Sequence, residues 1–178
     1  MNMRRLRLRA VWLLVLPFLW LSRPTLPLLV GGALLGALGL FIRGWAAGTI
    51  HKEKELTTTG PYAHTRNPLY VGSFFLGLGV TLAGGQWWWP ALFLIFFVGV
   101  YGTTMAGEAA LLTELYGDRF RTYAAHVPAL LPRLTPWREP GIQGRGFTFG
   151  QYRRNREWEA LVGALAGFGF LGMKLILR

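Results

Sequence analysis

Residues 56–70 read LTTTGPYAHTRNPLY and gather polar and turn-forming side chains between two apolar stretches. Gly60-Pro61 marks a turn. Asn67-Pro68 has the form of a helix start, with Asn67 as cap and Pro68 at the first helical position, where a missing N–H costs nothing. A loop there delivers Tyr62, His64, Arg66, Asn67 and Tyr70 to the N-terminus of an apolar helix. Such a terminus has free N–H groups and a partial positive charge, so it favours a carboxylate or phosphate. An ordinary turn at a membrane surface would use the same residue types.

The elements that must hold this loop are apolar and helical. Hydrophobic residues make up 52% of the 178 residues, with 24 glycines and 8 tryptophans, and they fall in long blocks. That pattern predicts one domain, an all-α polytopic membrane bundle of about five transmembrane helices with a cytoplasmic amphipathic helix. The expected spans are 6–22, 26–47, 69–83, 90–104 and 158–177. Gly32, Gly36 and Gly39 suit close helix approach in the second. Gly84-Gly85 turns the third into the fourth, and Trp87, Trp88 and Trp89 fall where an interfacial aromatic belt belongs. From Glu108 to Ala125, leucines and aromatics alternate with charges at helical spacing, which predicts an amphipathic helix, broken near Gly117, that lies against the membrane face or packs under the bundle. Prolines 128, 132, 136 and 140 preclude a long helix beyond it, and 141–150 reads as loop.

The chain has no cysteine, so disulfides, thiolate metal sites and a cysteine nucleophile are excluded. His51, His64 and His126 show no metal-ligand spacing. No cleavable signal peptide is read at the N-terminus. The net charge of +11 would suit nucleic acid, but its placement argues otherwise. With the N-terminus in the cytoplasm, five spans leave only Arg23, Lys174 and Arg178 of the 19 basic residues on the far side. All eight acids fall on the cytoplasmic side. This is the positive-inside asymmetry of a membrane protein, and it places the polar chemistry on the cytoplasmic face.

Two polar segments meet on that face. GPYAHTRNPLYVG resembles the GPYxxxRHPxYxG signature of the isoprenylcysteine carboxyl methyltransferase and phospholipid methyltransferase superfamily. The second half of that signature is an acidic pair, a leucine, FG, two tyrosines and a proline; it is similar to EAALLTELYGDRFRTYAAHVPALLP from Glu108. Gly60, Pro61 and Tyr62 match GPY, and Arg66, Pro68 and Tyr70 match RHPxY. Glu108 matches the first acid, and Phe120 and Tyr123 match the aromatic positions. Asn67 stands where the family has histidine, and Ala109 replaces the second acid. Gly77-x-Gly79 is similar to a glycine pair of phospholipid methyltransferases, though close helix packing explains it as well.

The resemblance implies an integral membrane methyltransferase using S-adenosylmethionine, with a motif core at about 49–132, a cytoplasmic loop at 133–157 and a last helix at 158–177. It implies Arg66 and Glu108 as catalytic, and Gly60, Pro61, Tyr62, Arg66, Asn67, Pro68, Tyr70, Glu108 and Tyr123 as cofactor-binding. Methyl transfer from a sulfonium needs no metal, only an in-line nucleophile in a site that excludes water. The cofactor's cations suit Glu108 and tyrosine faces, and its carboxylate suits Arg66 and Asn67. A carboxylate acceptor needs no base; an amine acceptor needs one, with His64 or Glu108 as candidates. The expected acceptor is a lipophilic small molecule or lipid, and the expected location is a bacterial inner membrane. Phospholipid or amine N-methylation, a sterol-reductase-like enzyme using NADPH, and a non-catalytic homologue are the alternatives.

Overall fold

A computed structural model describes residues 14–51, 55–142 and 146–177. The described chain is helical, with no strand among the described residues. Helix α1 covers residues 14–21. It is followed by α2 (Leu26–Thr49), a 3-10 turn (Gly60–Ala63), α3 (Pro68–Ala83), α4 (Trp88–His126), α5 (Phe149–Arg154) and α6 (Trp158–Ile176). Three of these, α2, α4 and α6, are long and apolar enough to cross a membrane. The α3 helix is apolar but has 16 residues, about 24 Å against a hydrocarbon core of about 30 Å. Of the expected first span, residues 6–13 lie outside the described residues, as do Arg4, Arg5, Arg7, Arg9, Lys52, Lys54, Arg145 and Arg178.

Small residues decide the central packing. A Cβ on Gly32 would run into the Gly79 carbonyl, and one on Gly39 would meet the Gly72 carbonyl at 2.5 Å. The α2 and α3 backbones therefore touch, which is how helices gain van der Waals contact in lipid. Gly36 instead faces Phe168 of α6, and Gly77 faces Phe93 of α4. On α4, Phe93, Phe97 and Tyr101 recur every four residues along one face. Phe74 of α3 packs on Phe97 at 5.2 Å, and Tyr70 on Tyr101 at 5.0 Å. This aromatic ladder leads along the α3–α4 seam to the motif loop.

The two ends of the bundle differ. At the end away from the motif loop, Arg23 N donates to the Gly84 carbonyl at 2.7 Å. Gly85 (φ 87°) turns tightly against Arg23. Lys174 Nζ donates to the Leu19 and Trp20 carbonyls at 2.7 and 2.6 Å, satisfying carbonyls at the end of α1. Trp87 and Trp88 face outward there, but Trp89 does not belong to an outer belt. It is buried, edge-on to Phe18, with Nε1 donating to Gln86 at 2.9 Å.

The amphipathic helix from Glu108 starts as a continuation of α4, which runs unbroken through Gly102 and Gly107, so that the 39 residues are two helices joined at a kink. Its break falls at Gly117 (φ 54°, ψ −129°), a conformation that only glycine adopts without strain. Leu112, Phe120 and Tyr123 pack inward around Leu56 and Val127, whereas Leu111 and Leu115 point outward. The loop expected through Gly150 ends earlier, because Thr148 caps α5 by accepting from Gln151 N at 3.2 Å. Gln151 and Asn155 in turn donate to the Ile50 and Ala47 carbonyls at the end of α2.

Candidate active site

The motif loop folds as a 3-10 turn because Gly60 (φ 59°) supplies a left-handed start and Pro61 fixes the next φ. Gly60 lies against Thr49 and Trp45 of α2. The Pro61 carbonyl accepts from His64 N and Thr65 N at 3.1 and 3.2 Å. The turn buries Pro61, Tyr62 and Ala63. Pro68 is fully buried at the first position of α3.

Asn67 occupies the cap position, but its side chain does not cap the helix. Its Nδ2 donates to the Ala129 carbonyl at 2.9 Å instead. That bond belongs to a larger pairing which the sequence did not signal. Residues 128–139 run along the loop. Arg66 N donates to the Pro128 carbonyl at 2.9 Å, Arg133 N to His64 O at 2.9 Å, and Trp137 N to Ala63 O at 2.9 Å. Thr65 Oγ1 bonds the Ala129 and Leu130 carbonyls, and His64 Nδ1 bonds the Arg133 carbonyl at 2.8 Å. Glu139 closes the pairing, accepting from Thr58 Oγ1 at 2.8 Å and from Arg119 Nε at 2.6 Å. The Arg119 guanidinium holds the Glu139 carboxyl below its usual range.

The two motif segments meet through two tyrosines. Tyr70 donates its hydroxyl to Glu108 Oε1 at 2.6 Å, joining α3 to α4. Tyr123, 2% exposed, donates to the Tyr62 carbonyl at 2.7 Å. Arg66 lies over the Phe120 ring with 6.0 Å between its Cζ and the ring centroid. Arg66, Tyr70, Glu108, Phe120, Tyr123 and Tyr62 thus gather at one end of the bundle. Ala109, at the position of the missing second acid, packs against the Phe120–Tyr123 cluster.

Two buried polar side-chain atoms among the described residues have no hydrogen-bond partner, the Tyr62 hydroxyl and Arg66 Nε. Burial pushes the Tyr62 hydroxyl far above the ordinary tyrosine range, and Tyr123, Glu108 and Glu157 push it further. It therefore stays a neutral O–H, a donor without an acceptor. Leaving such groups unpaired costs about 1–3 kcal/mol each, so the two atoms are candidates for contact with a polar group from outside the chain. A guanidinium N–H, a tyrosine O–H and the Glu108 carboxylate suit the carboxylate, a polar oxygen and an ammonium of an amino-acid-like group.

One acid and one base absent from the expected site stand beside it. Arg43 of α2 pairs with Glu157, before α6, through Nε to Oε1 at 2.5 Å and Nη2 to Oε2 at 3.1 Å, and it also bonds Ser73 of α3. A lone arginine inside an apolar span was the available signal; its partner lies 114 residues away. A cavity of about 280 Å³ opens by Thr49, His51, Thr58 and Arg119, and none of the expected site residues lines it.

The phospholipid methyltransferase family matches residues 30–119. A nickel-cobalt-cadmium resistance protein of Alcaligenes xylosoxydans xylosoxydans is 34% identical over 128 residues, 67% of this chain and 55% of that one. A protein-S-isoprenylcysteine O-methyltransferase of Schizosaccharomyces pombe is 32% identical over 84 residues, 47% of this chain and 36% of that one. A cobalt-zinc-cadmium resistance protein of Cupriavidus metallidurans is 31% identical over 121 residues, 67% of this chain and 54% of that one. The chain spans about half the length, or less, of these curated relatives. No solved structure matches.

Proposed function

The chain belongs to the phospholipid methyltransferase family, and we propose that it is an S-adenosylmethionine-dependent membrane methyltransferase. Its acceptor is a lipophilic carboxylate, methylated on oxygen in the manner of an isoprenylcysteine carboxyl methyltransferase. The observation that carries this reading is the orphaned pair, Tyr62 hydroxyl and Arg66 Nε, buried where the two motif segments meet. When bound, the cofactor supplies an electrophilic methyl on a sulfonium. Arg66 would bind its carboxylate and Glu108 its ammonium, with Tyr70 steering the Glu108 carboxylate through the 2.6 Å bond. Tyr123 would hold the Tyr62 backbone so that its hydroxyl donates into the site. The buried Phe120 and Tyr123 rings keep water out, which favours two opposite charges neutralising each other in the transition state.

The choice of acceptor rests on the isoprenylcysteine O-methyltransferase relative, which favours a carboxylate. A carboxylate needs no base, whereas an amine acceptor needs one. His64 would be the candidate for that role, since its Nδ1 donates to the Arg133 carbonyl and its Nε2 keeps a lone pair. The family match supports methyl transfer over reduction by NADPH. The motif end faces the cytoplasm, as the charge asymmetry favours.

The test is transfer of a labelled methyl group from S-adenosylmethionine into extracted membrane lipids. Wild type is expected to form a base-labile methyl ester. Arg66→Ala and Glu108→Gln each lose a charge-assisted bond of about 1.5–3 kcal/mol, so labelling should fall roughly tenfold to a hundredfold. Equal labelling in all three would remove the assigned site, and base-stable label would move the acceptor to an amine.

A further inference from the structure

We propose that residues 128–138 form a strap seated in the headgroup layer of the bilayer, gripping anionic lipid while it holds the motif loop closed. Depth comes first. The α3 helix is about 6 Å shorter than the hydrocarbon core. If its far end, followed by the exposed Trp87, lies at the opposite interface, its first turn lies at or inside the near one. Asn67 and Thr65, just before that first turn, hold the Ala129 and Leu130 carbonyls at 2.9 and 3.1 Å. The strap therefore lies at the depth of lipid headgroups. Trp45, exposed near the end of α2 and 6.3 Å from the His64 ring, marks the same level.

Composition comes second. Leu131 is 81% exposed and Leu134 98% exposed, and no other part of the described chain covers them. Each leucine would cost roughly 1.5–3 kcal/mol less with its side chain out of water. Pro128, Pro132 and Pro136 have no N–H to desolvate, and the N–H groups of Arg133 and Trp137 are already spent on the motif loop. The N–H groups of Ala129, Leu130, Leu131, Leu134, Thr135 and Arg138 make no backbone bond, so this irregular segment suits the hydrated headgroup layer, where water reaches them, and not the hydrocarbon core. Charge comes third. Arg138 is exposed four residues beyond Leu134, while Arg133, between the leucines in sequence, is half-buried and donates to the His126 carbonyl at 2.7 Å and to Thr135. Leucines with arginines at this depth fit an anionic headgroup surface.

The absence of cysteine makes the test direct. Leu131→Cys, Leu134→Cys and Asp118→Cys each carry one nitrobenzoxadiazole label on the full chain in proteoliposomes. Asp118, with its side chain 93% exposed, is the reference in water. Variants that unfold in a thermal scan are discarded, and either leucine position suffices. At 131 or 134 the emission should shift to the blue of that at 118 and be quenched by acyl-brominated phospholipid. Quenching should be greater with phosphatidylglycerol than with phosphatidylcholine alone, and Arg138→Gln should abolish that difference. Emission matching that at 118 overturns the proposal. So does a shift that vanishes on dilution to one protein per vesicle, which would assign the surface to a second copy. Equal quenching in both lipids overturns the anionic grip.

Discussion

Replacing either site tyrosine by phenylalanine deletes one oxygen, yet the two changes should have opposite signs. The Tyr123 hydroxyl donates to the Tyr62 carbonyl at 2.7 Å, and both residues are at most 6% exposed. Tyr123→Phe leaves that carbonyl buried without its donor, a loss of about 1–3 kcal/mol. For a chain of this size that lowers Tm by on the order of 5 °C. The Tyr62 hydroxyl is buried and bonds nothing. Tyr62→Phe therefore removes a desolvated O–H and should be neutral or raise Tm by about 3 °C. It should also weaken S-adenosylmethionine binding by about fivefold, the equivalent of one neutral hydrogen bond. Tryptophan fluorescence during heating in detergent reads the first effect, and calorimetric titration the second. If Tyr62→Phe destabilises as much as Tyr123→Phe, the Tyr62 hydroxyl has a structural partner and the ligand argument fails.

Arg43→Met should be among the costliest changes. It strands Glu157, whose side chain is 8% exposed, and breaking a buried pair this way costs about 3–5 kcal/mol. Adding Glu157→Gln should restore most of the folded yield on gel filtration; no recovery would mean that the pair is not the cause. Glu139 sets an acid limit. Its folded pKa lies below the ordinary carboxylate value of about 4.3, so the folded state binds fewer protons between the two values. The stability it adds is present above about pH 4.3 and is lost as pH falls through the lower folded pKa. Glu139→Gln should flatten Tm against pH in that range, and an unchanged slope would exclude it.

Local patterns made much of this fold legible. The loop at 56–67 between apolar helices, the Gly84-Gly85 turn and the Gly117 break each have a residue whose backbone preference forces the event. The glycines of α2 were readable as contact points because only a missing side chain lets helices approach so closely. The run at 104–108 misled because composition changes there while the backbone does not: Gly107 is tolerated inside a helix that already continues on both sides. Trp89 was read with its two neighbours as a belt, but helical geometry turns adjacent residues by about 100°, and that rotation sends it inward. The pairing of 56–67 with 128–139, and of Arg43 with Glu157, left no periodic trace, since such bonds join residues far apart in sequence. Asn67 shows the same limit. Its type and place fit a cap, and a distant carbonyl outcompeted the helix for its amide.

The strap that closes over the motif loop is made long after the loop itself. During synthesis the ribosome releases residues 56–67 well before Glu139, and the hydrogen bonds that fix Ala63, His64, Thr65 and Arg66 have no partners until then. The nascent chain therefore inserts α2 and α3 with an open loop between them, and the site takes shape only when the segment beyond α4 emerges. A pause or nonsense codon in that interval leaves a membrane-embedded chain with its polar loop bare, a form that quality-control proteases can recognise.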